Sequence, residues 1–357
     1  MKIALIGPPK SGKTTIFNAL TGQDIPVDKY SPATEANVGI VQVMDERITR
    51  LSELYKPKKT IYANIEFQDF PGIFATEGEE VELAIMSSIK SCDAFVLVLR
   101  AYVDEELDQL YGEADPLKML SHFEDEMILC DMVITEKRLE KIELGYKRGV
   151  KTPVVQIEEK ALRCILEHLQ ENNSIRNIEL HPEEEKAIRG FQFFSSKPIL
   201  ILLNTSEDGF KTPHAALEEF ARRGYLANQI AGKFEQELST LDSDEAEMFM
   251  TDMGISTSIR DRITLLCYQL LGLISFFTVG EDEVRAWTIT KGTNAVNAAG
   301  KIHSDLARGF IRAECFAYDA IMEHGSEKHL KEKGLFRLEG KEYIVQDGDI
   351  LSIRFNV

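Results

Sequence analysis

The sequence predicts an α/β protein: a mainly parallel sheet, interrupted by an inserted helical hairpin and followed by a small α+β domain. Three observations carry this. Short apolar runs alternate with helical patterns through the first and central parts of the chain. Between them lies a long stretch of densely charged helical periodicity. From Phe276 onward, short alternating segments surround tight-turn sequences.

In chain order, Lys2–Ile6, Ile61–Phe67, Phe95–Leu99 and Ile199–Leu203 have the length and composition of buried strands, and Val38–Val43 reads as a further strand of the same sheet. Buried runs separated by helical patterns place helices on both faces. Asp115-Pro116 opens a long helix, Leu117–Tyr146, with dense mixed charge at Glu136-Lys137-Arg138-Leu139-Glu140-Lys141. After Gly149 and Pro153 a second helix follows, about Gln156–Gln170, so the pair forms a hairpin. The sheet pattern resumes at Lys197-Pro198-Ile199. From Phe276 onward the chain carries 11 Lys+Arg and 13 Asp+Glu, a net of −2 against −18 for the whole, so nearly all the negative charge lies upstream. Val284–Ile289, Tyr343–Val345 and Ile350–Phe355 read as strands, the last two flanking the turn Gln346-Asp347-Gly348-Asp349. The expected domains are 1–115 with 193–275, the hairpin 116–192, and 276–357.

The 357 residues are enough for two or three domains, and 44% hydrophobic with 28% charged residues excludes wholesale disorder. No apolar run reaches the roughly 18 residues of a membrane span, and Met1–Gly7 reads as a strand rather than a signal peptide. Cys92, Cys130, Cys164, Cys267 and Cys315 are odd in number and never in a C-x-x-C pair, so reduced thiols and a cytoplasmic location are expected. The acidic balance argues against coating nucleic acid by bulk charge, while permitting a local basic groove. Nothing in the chain compels more than a monomer.

The strongest chemical signal is Gly7-Pro8-Pro9-Lys10-Ser11-Gly12-Lys13-Thr14, a complete G-x-x-x-x-G-K-S/T between a strand and the helix Thr14–Leu20, which Gly22 stops. Glycines let the backbone wrap phosphate oxygens, and free N–H groups at a helix start favour negative charge. The cradle therefore runs from Gly7 through Thr15, with Lys13 reaching the β- and γ-phosphates and the Thr14 hydroxyl on Mg²⁺. Asp69-Phe70-Pro71-Gly72, a D-x-x-G after a strand, supplies the second element: Asp69 for Mg²⁺ and the Gly72 N–H for the γ-phosphate. Thr34, in the polar loop between the two, is the candidate hydroxyl that closes over the metal. The strand Ile199–Leu203 ends in Asn204-Thr205-Ser206-Glu207, where guanine-specific proteins carry N-K-x-D. The lysine is absent and Glu207 replaces Asp, which removes the paired hydrogen bonds to guanine and admits adenine. Ala231 and Gly232 complete the expected base site.

These residues, with Thr14-Thr15-Ile16-Phe17-Asn18-Ala19-Leu20-Thr21, Asn37-Val38-Gly39, Lys56-Pro57-Lys58-Lys59, Asp282-Glu283-Val284-Arg285-Ala286-Trp287-Thr288-Ile289, Ala299-Gly300-Lys301-Ile302-His303 and Tyr343–Ile350, resemble the YchF family of Obg-like ATPases over essentially the whole length. The resemblance implies a Ras-like P-loop NTPase domain, a helical-hairpin insertion, and a C-terminal TGS domain of the ubiquitin-like β-grasp type. It implies Mg²⁺-dependent, slow hydrolysis with ATP preferred over GTP. It also implies association with the large ribosomal subunit, and with RNA through the TGS domain and the interdomain cleft. A nucleotide-gated binding module with negligible turnover, or a GTPase, are the alternative readings.

The chain departs from the family pattern in two places. Ile73, as in the family, stands where Ras-type enzymes carry a water-orienting glutamine, but a shorter loop, Phe74–Glu80, replaces the usual glycine-rich one. Lys10 replaces an Asn that in relatives helps hold potassium, so either its ammonium substitutes for that ion in catalysis or it points to solvent. Elsewhere, Trp287 is expected in the β-grasp core and His303 as a surface hydrogen-bonding residue. Arg285, Lys291, Lys301, Arg308 and Arg312 form either a basic face for RNA phosphates or a dispersed surface.

Overall fold

The structure, a computed structural model, describes residues 1–27, 36–71 and 86–356. In chain order its elements are β1 (Lys2–Ile6), α1 (Lys13–Thr21), β2 (Asn37–Gln42), α2 (Glu46–Tyr55), β3 (Lys59–Ile61), β4 (Asn64–Asp69), β5 (Ala94–Arg100), α3 (Glu105–Tyr111), α4 (Pro116–Lys147), α5 (Pro153–Gln170), α6 (Pro182–Ile188), β6 (Ile199–Asn204), α7 (Glu207–Phe210), α8 (Ala216–Arg222), β7 (Leu226–Ile230), α9 (Gly232–Leu238) and α10 (Ser243–Asp252). Then follow α11 (Ile259–Leu270), β8 (Leu273–Thr278), β9 (Glu283–Thr290), α12 (Ala295–Ile302), α13 (Ser304–Arg308), β10 (Phe310–Ala317), α14 (Tyr318–His324), α15 (Glu327–Glu332), β11 (Arg337–Glu339) and β12 (Asp349–Phe355). They form two compact units, Met1–Gly39 with Glu66–Ser256, and Ile40–Ile65 with Thr257–Val357.

The α/β class and the inserted hairpin are as expected. The first sheet runs β2-β4-β1-β5-β6-β7. β1 pairs in parallel with β4 and β5, β5 with β6, and β6 with β7. The register sets Leu5 opposite Asp69, and Asn204 opposite both Arg100 and Ile230. Consequently the ends of β1, β4, β6 and β7 open on one carboxyl edge, the usual place for a ligand in such a sheet. β5 and β6 are buried at every position, which is why they read as continuous apolar runs.

The hairpin grows out of this core. Leu120, Phe123 and Met127 on the first part of α4 pack with Phe95, Leu97 and Phe194. Farther along, Leu139 and Ile142 pack with Leu162, Ile165 and Leu169 of α5. Asp131, fully buried where α4 passes from one core to the other, accepts from the backbone N–H groups of Phe194 and Ser195 at 2.9 and 2.7 Å and from the Ser195 hydroxyl at 2.7 Å. Both helices start where caps dictate: Asp115 before Pro116, and Thr152 before Pro153.

In the second unit a mixed sheet runs β11-β10-β12-β8-β9-β3. One face packs against α12 through Phe276, Ile289, Ala298, Cys315 and Leu351. The other face buries Phe277, Val284, Ala286, Phe316 and Ile350 with Ile48 and Leu51 of α2.

Three expectations change here. The segment Ile40–Ile65, placed by sequence inside 1–115, joins the unit that holds the C-terminal residues, whose compact body opens at Thr257 rather than 276. The reason is that β3 pairs with β9, Thr60 opposite Val284, and α2 covers the adjacent core. The expected strand 61–67 is displaced: β3 ends at Ile61 and β4 starts at Asn64, which leaves Asp69 as the last residue of β4. Finally, 343–345 and 350–355 do not form a hairpin. Ile344 makes an isolated bridge to Asn294, while β12 pairs antiparallel with β10 and in parallel with β8.

Candidate nucleotide-binding site

The loop from Gly7 to Gly12 has the backbone its sequence requires. Gly7 has φ of 148° and Gly12 of 96°; a Cβ on Gly7 would stand 2.3 Å from the Val98 carbonyl oxygen, and one on Gly12 2.2 Å from Asn204 Nδ2. Lys10 is also left-handed, at φ 58°, and its carbonyl accepts from the Tyr102 hydroxyl at 2.9 Å. With Gly12 capping it, α1 points its first N–H groups into the loop. Lys13 is buried. Its ammonium donates to the carbonyls of Gly7 at 3.1 Å and Pro8 at 2.8 Å. Burial lowers its pKa to about 8, against the opposing attraction of Asp69.

Thr14 faces Asp69: its hydroxyl donates to Asp69 Oδ2 at 2.9 Å, and Asn37 Nδ2 donates to the same oxygen at 3.3 Å. Among the described residues Asp69 Oδ1 is buried with no hydrogen-bond partner, as is the Ser11 hydroxyl oxygen. Burial raises the Asp69 pKa, opposed by the Thr14 hydrogen bond, the Lys13 charge and the Asn37 amide. A buried carboxylate oxygen without a donor is a costly arrangement in a purely structural role. Beside a threonine hydroxyl and a phosphate-type loop, it fits a divalent cation held on oxygen ligands.

At the end of β6, Asn204 ties three parts of the edge together. Its amide donates to the Ser11 carbonyl at 2.9 Å and accepts from Gly232 N–H at 2.9 Å. A Cβ on Gly232 would lie 2.9 Å from Asn204 Oδ1, so the approach of α9 needs glycine there. Thr205 bonds the Ile230 carbonyl through its N–H at 2.8 Å and its hydroxyl at 3.1 Å, and Ala231 is buried beside it. Glu207 is exposed at the first position of α7, whose cap is Ser206.

The structure thus brings together Gly7 through Thr15, Asp69, Asn204, Thr205, Ala231 and Gly232. Thr34, Gly72 and the loop from Ile73 to Glu80 lie outside the described residues. Asn37 and Tyr102 were not singled out as site residues. Asn37 opens β2 and Tyr102 follows β5; neither carries a chemical motif, and only the fold brings them to Asp69 and Lys10.

In the second unit, Trp287 stacks on Phe276 with ring centroids 6.4 Å apart and donates to the Thr278 hydroxyl at 3.0 Å, as befits the core edge. His303 is exposed and caps α13 by accepting from Asp305 N–H. Of the proposed basic face, Arg285 lies 3.9 Å over the Trp287 ring and Arg308 pairs with Asp305. All five cysteines are free, and no helix among the described residues is long and apolar enough to cross a membrane.

Two family models match the chain. The 50S ribosome-binding GTPase family model matches residues 2–131, and the YchF-GTPase C-terminal family model, described as a protein of unknown function, matches 273–356. The chain is 39% identical to the ribosome-binding ATPase YchF of Bacillus subtilis, over 99% of this chain and 98% of that protein. It is 36% identical to the Pasteurella multocida protein of the same name, over 100% and 99%. The solved Schizosaccharomyces pombe YchF GTPase superposes with a TM-score of 0.83 at 29% identity, covering 99% of this chain and 97% of that one. With 39% and 36% identity over nearly the whole of both chains and a P-loop whose glycines, lysine and threonine are all in place, the chain belongs to the YchF family.

Proposed function

We propose that this protein is a Mg²⁺-dependent P-loop ATPase that prefers ATP to GTP, turns over slowly, and acts as a monomeric, cytoplasmic, nucleotide-regulated factor on the ribosome. The observation that carries the nucleotide reading is a buried Lys13 ammonium, held inside the Gly7–Gly12 loop, together with an Asp69 oxygen that has no partner among the described residues. When bound, the nucleotide supplies the phosphoryl group and its metal supplies charge neutralisation. Lys13 and the loop N–H groups stabilise negative charge on the phosphates, while Thr14 and Asp69, with Thr34, hold the metal. Gly72 would sense the γ-phosphate. The ATP preference rests on Asn204–Glu207: with a glutamate in place of the guanine-reading aspartate and no lysine, guanine loses its paired contacts. Slow turnover fits Ile73 in place of a water-orienting glutamine. We further propose that Lys10 supplies the positive charge that potassium supplies in relatives. ATPase rates in Na⁺ and K⁺ buffers should then agree, and several-fold stimulation by K⁺ would refute the assignment.

Ribosome association is proposed from the names of the relatives, with RNA contacts from the C-terminal TGS-type unit. The test of the nucleotide reading is titration calorimetry with non-hydrolysable ATP and GTP analogues plus Mg²⁺. Tighter ATP binding, lost in Lys13→Ala, is the expected result. A GTP preference would return the site to a GTPase, and micromolar ATP affinity retained in Lys13→Ala would overturn the phosphate assignment. Single-turnover hydrolysis separates an ATPase from a nucleotide-gated binding module.

A further inference from the structure

We propose that the turn joining α4 to α5 is a docking tip for the phosphate backbone of RNA. The inference rests on the ribosome association proposed above and adds the chemistry of one contact. Residues 137–151 hold Lys137, Arg138, Lys141, Lys147, Arg148 and Lys151 against Glu140 and Glu143, a net of 6 − 2 = +4 in a chain of net −18. Arg138 is paired with Glu158 at 2.6 Å, which leaves +3 in this stretch, and outside it Arg163 is neutralised by Glu159 at 2.7 Å and Lys160 by Glu184 at 2.8 Å. Among the described residues Lys137, Lys141, Lys147 and Arg148 are exposed and make no ion pair, and exposed Lys151 lies 5.4 Å over the Tyr146 ring. Uncompensated positive charge is therefore concentrated at the tip.

Its geometry is ordered. Helical spacing puts Lys137, Lys141, Leu144 and Arg148 on one face of α4, a stripe of about 16 Å at 1.5 Å per residue. The turn beyond it is held by three backbone bonds of 3.0 Å, from Arg148 and Val150 to the Gly145 carbonyl and from Gly149 to that of Tyr146. Gly149 takes a left-handed φ of 80°, and the Tyr146 hydroxyl donates to Glu159 at 2.7 Å. Cations on a pre-formed turn lose little freedom on docking. The tip also exposes Glu140 and Glu143, the latter 3.5 Å from Arg163, and the apolar Leu144, Val150 and Val154, 51%, 54% and 68% exposed. A few unpaired cations suffice for a polyanion, whose condensed counterions they release. This favours RNA over an acidic protein surface.

The experiment uses the full chain, with Lys137, Lys141, Lys147, Arg148 and Lys151 all changed to Gln, and a milder Lys147→Gln/Arg148→Gln pair in case the first misfolds. Binding to purified ribosomes and to an RNA duplex of about two helical turns is measured across a salt series, with ATP-analogue affinity as the control. The expected result is at least ten-fold weaker binding to both probes, with the slope of log K against log salt on the duplex shallower by about 4 to 5, from roughly 0.9 per lost phosphate contact. The milder pair should lose about 2 from the slope by the same rule, and ATP-analogue affinity should not change. Unchanged binding and slope, with wild type still binding ribosomes, overturns the tip and leaves the ribosome reading standing. Weakened ribosome binding by variants of a wild type that ignores the duplex means a protein contact and overturns RNA. Wild type that binds neither probe overturns both readings.

Discussion

Lys13 is the residue on which pH should act. Its folded pKa of about 8 lies below the ordinary lysine value of 10.5 because burial disfavours the ammonium. Between those two values the folded chain has released a proton that the unfolded chain still holds, so stability rises with pH through that window. Anion binding runs the other way, because phosphate needs the charged form. ATP-analogue affinity should therefore fall above about pH 8, with one proton taken up on binding there; calorimetry in buffers of different ionisation heat reads that proton directly. Gly12 gives a second prediction. Gly12→Ala forces a side chain into a φ of 96° and onto Asn204 Nδ2, breaking the bond to Ser11. A stability loss of about 1–3 kcal/mol, seen in denaturant unfolding, and loss of nucleotide binding should follow. At this scale the sequence was most informative where chemistry demands a motif: Gly7, Gly12, Lys13 and Thr14 were legible from spacing alone. Asn37 was not, since its amide reaches Asp69 only through the pairing of β4 with its neighbours.

Among the elements, α4 shows what periodicity can and cannot disclose. Its expected span, 117–146, falls one residue short of the observed Pro116–Lys147 at each end, because Asp115-Pro116 caps and Arg148-Gly149 stops it. The pattern does not reveal why a carboxylate, Asp131, sits in the middle of its buried face. The answer lies across the fold, where the 194–195 backbone turns back toward β6 and needs acceptors. Asp131→Ala would strand two buried N–H groups and a hydroxyl, at a cost of about 2–4 kcal/mol. Chemical denaturation should show this as a lower midpoint at unchanged slope, with ATP-analogue affinity intact. The strands that sequence did not disclose share one cause. β7 is half-buried along most of its length without clean alternation, and β10 carries an irregularity between Phe310 and Arg312 that breaks its period of two.

At the scale of the whole molecule, the order of residues in the chain does not follow the order of compact units. Residues 40–65 lie in sequence between the loop bearing Thr34 and the strand ending in Asp69, yet they complete the core of the C-terminal unit. Sequence could not reveal this, because α2 is an ordinary amphipathic helix whose partner lies more than 200 residues away. Its attachment is specific. Arg47 donates to Asp45 and to Asp347 Oδ2, each at 2.8 Å, and lies 5.2 Å over the Phe277 ring. Asp347 in turn accepts from Ser275 N–H at 2.9 Å, which anchors the turn before β12. A fragment 257–357 expressed alone would expose Phe277, Val284, Ala286 and Ile350, all buried in the intact chain, and leave β9 as an open edge. It should bind a hydrophobic dye and give a broad, poorly protected amide-exchange profile. Fusing 40–65 to it should restore slow exchange in β8, β9 and β12, and Arg47→Met in that fusion should reverse part of the gain. A fragment 257–357 that folds cooperatively without 40–65, with the same protection, would show that α2 and β3 are passengers on the sheet rather than part of its core.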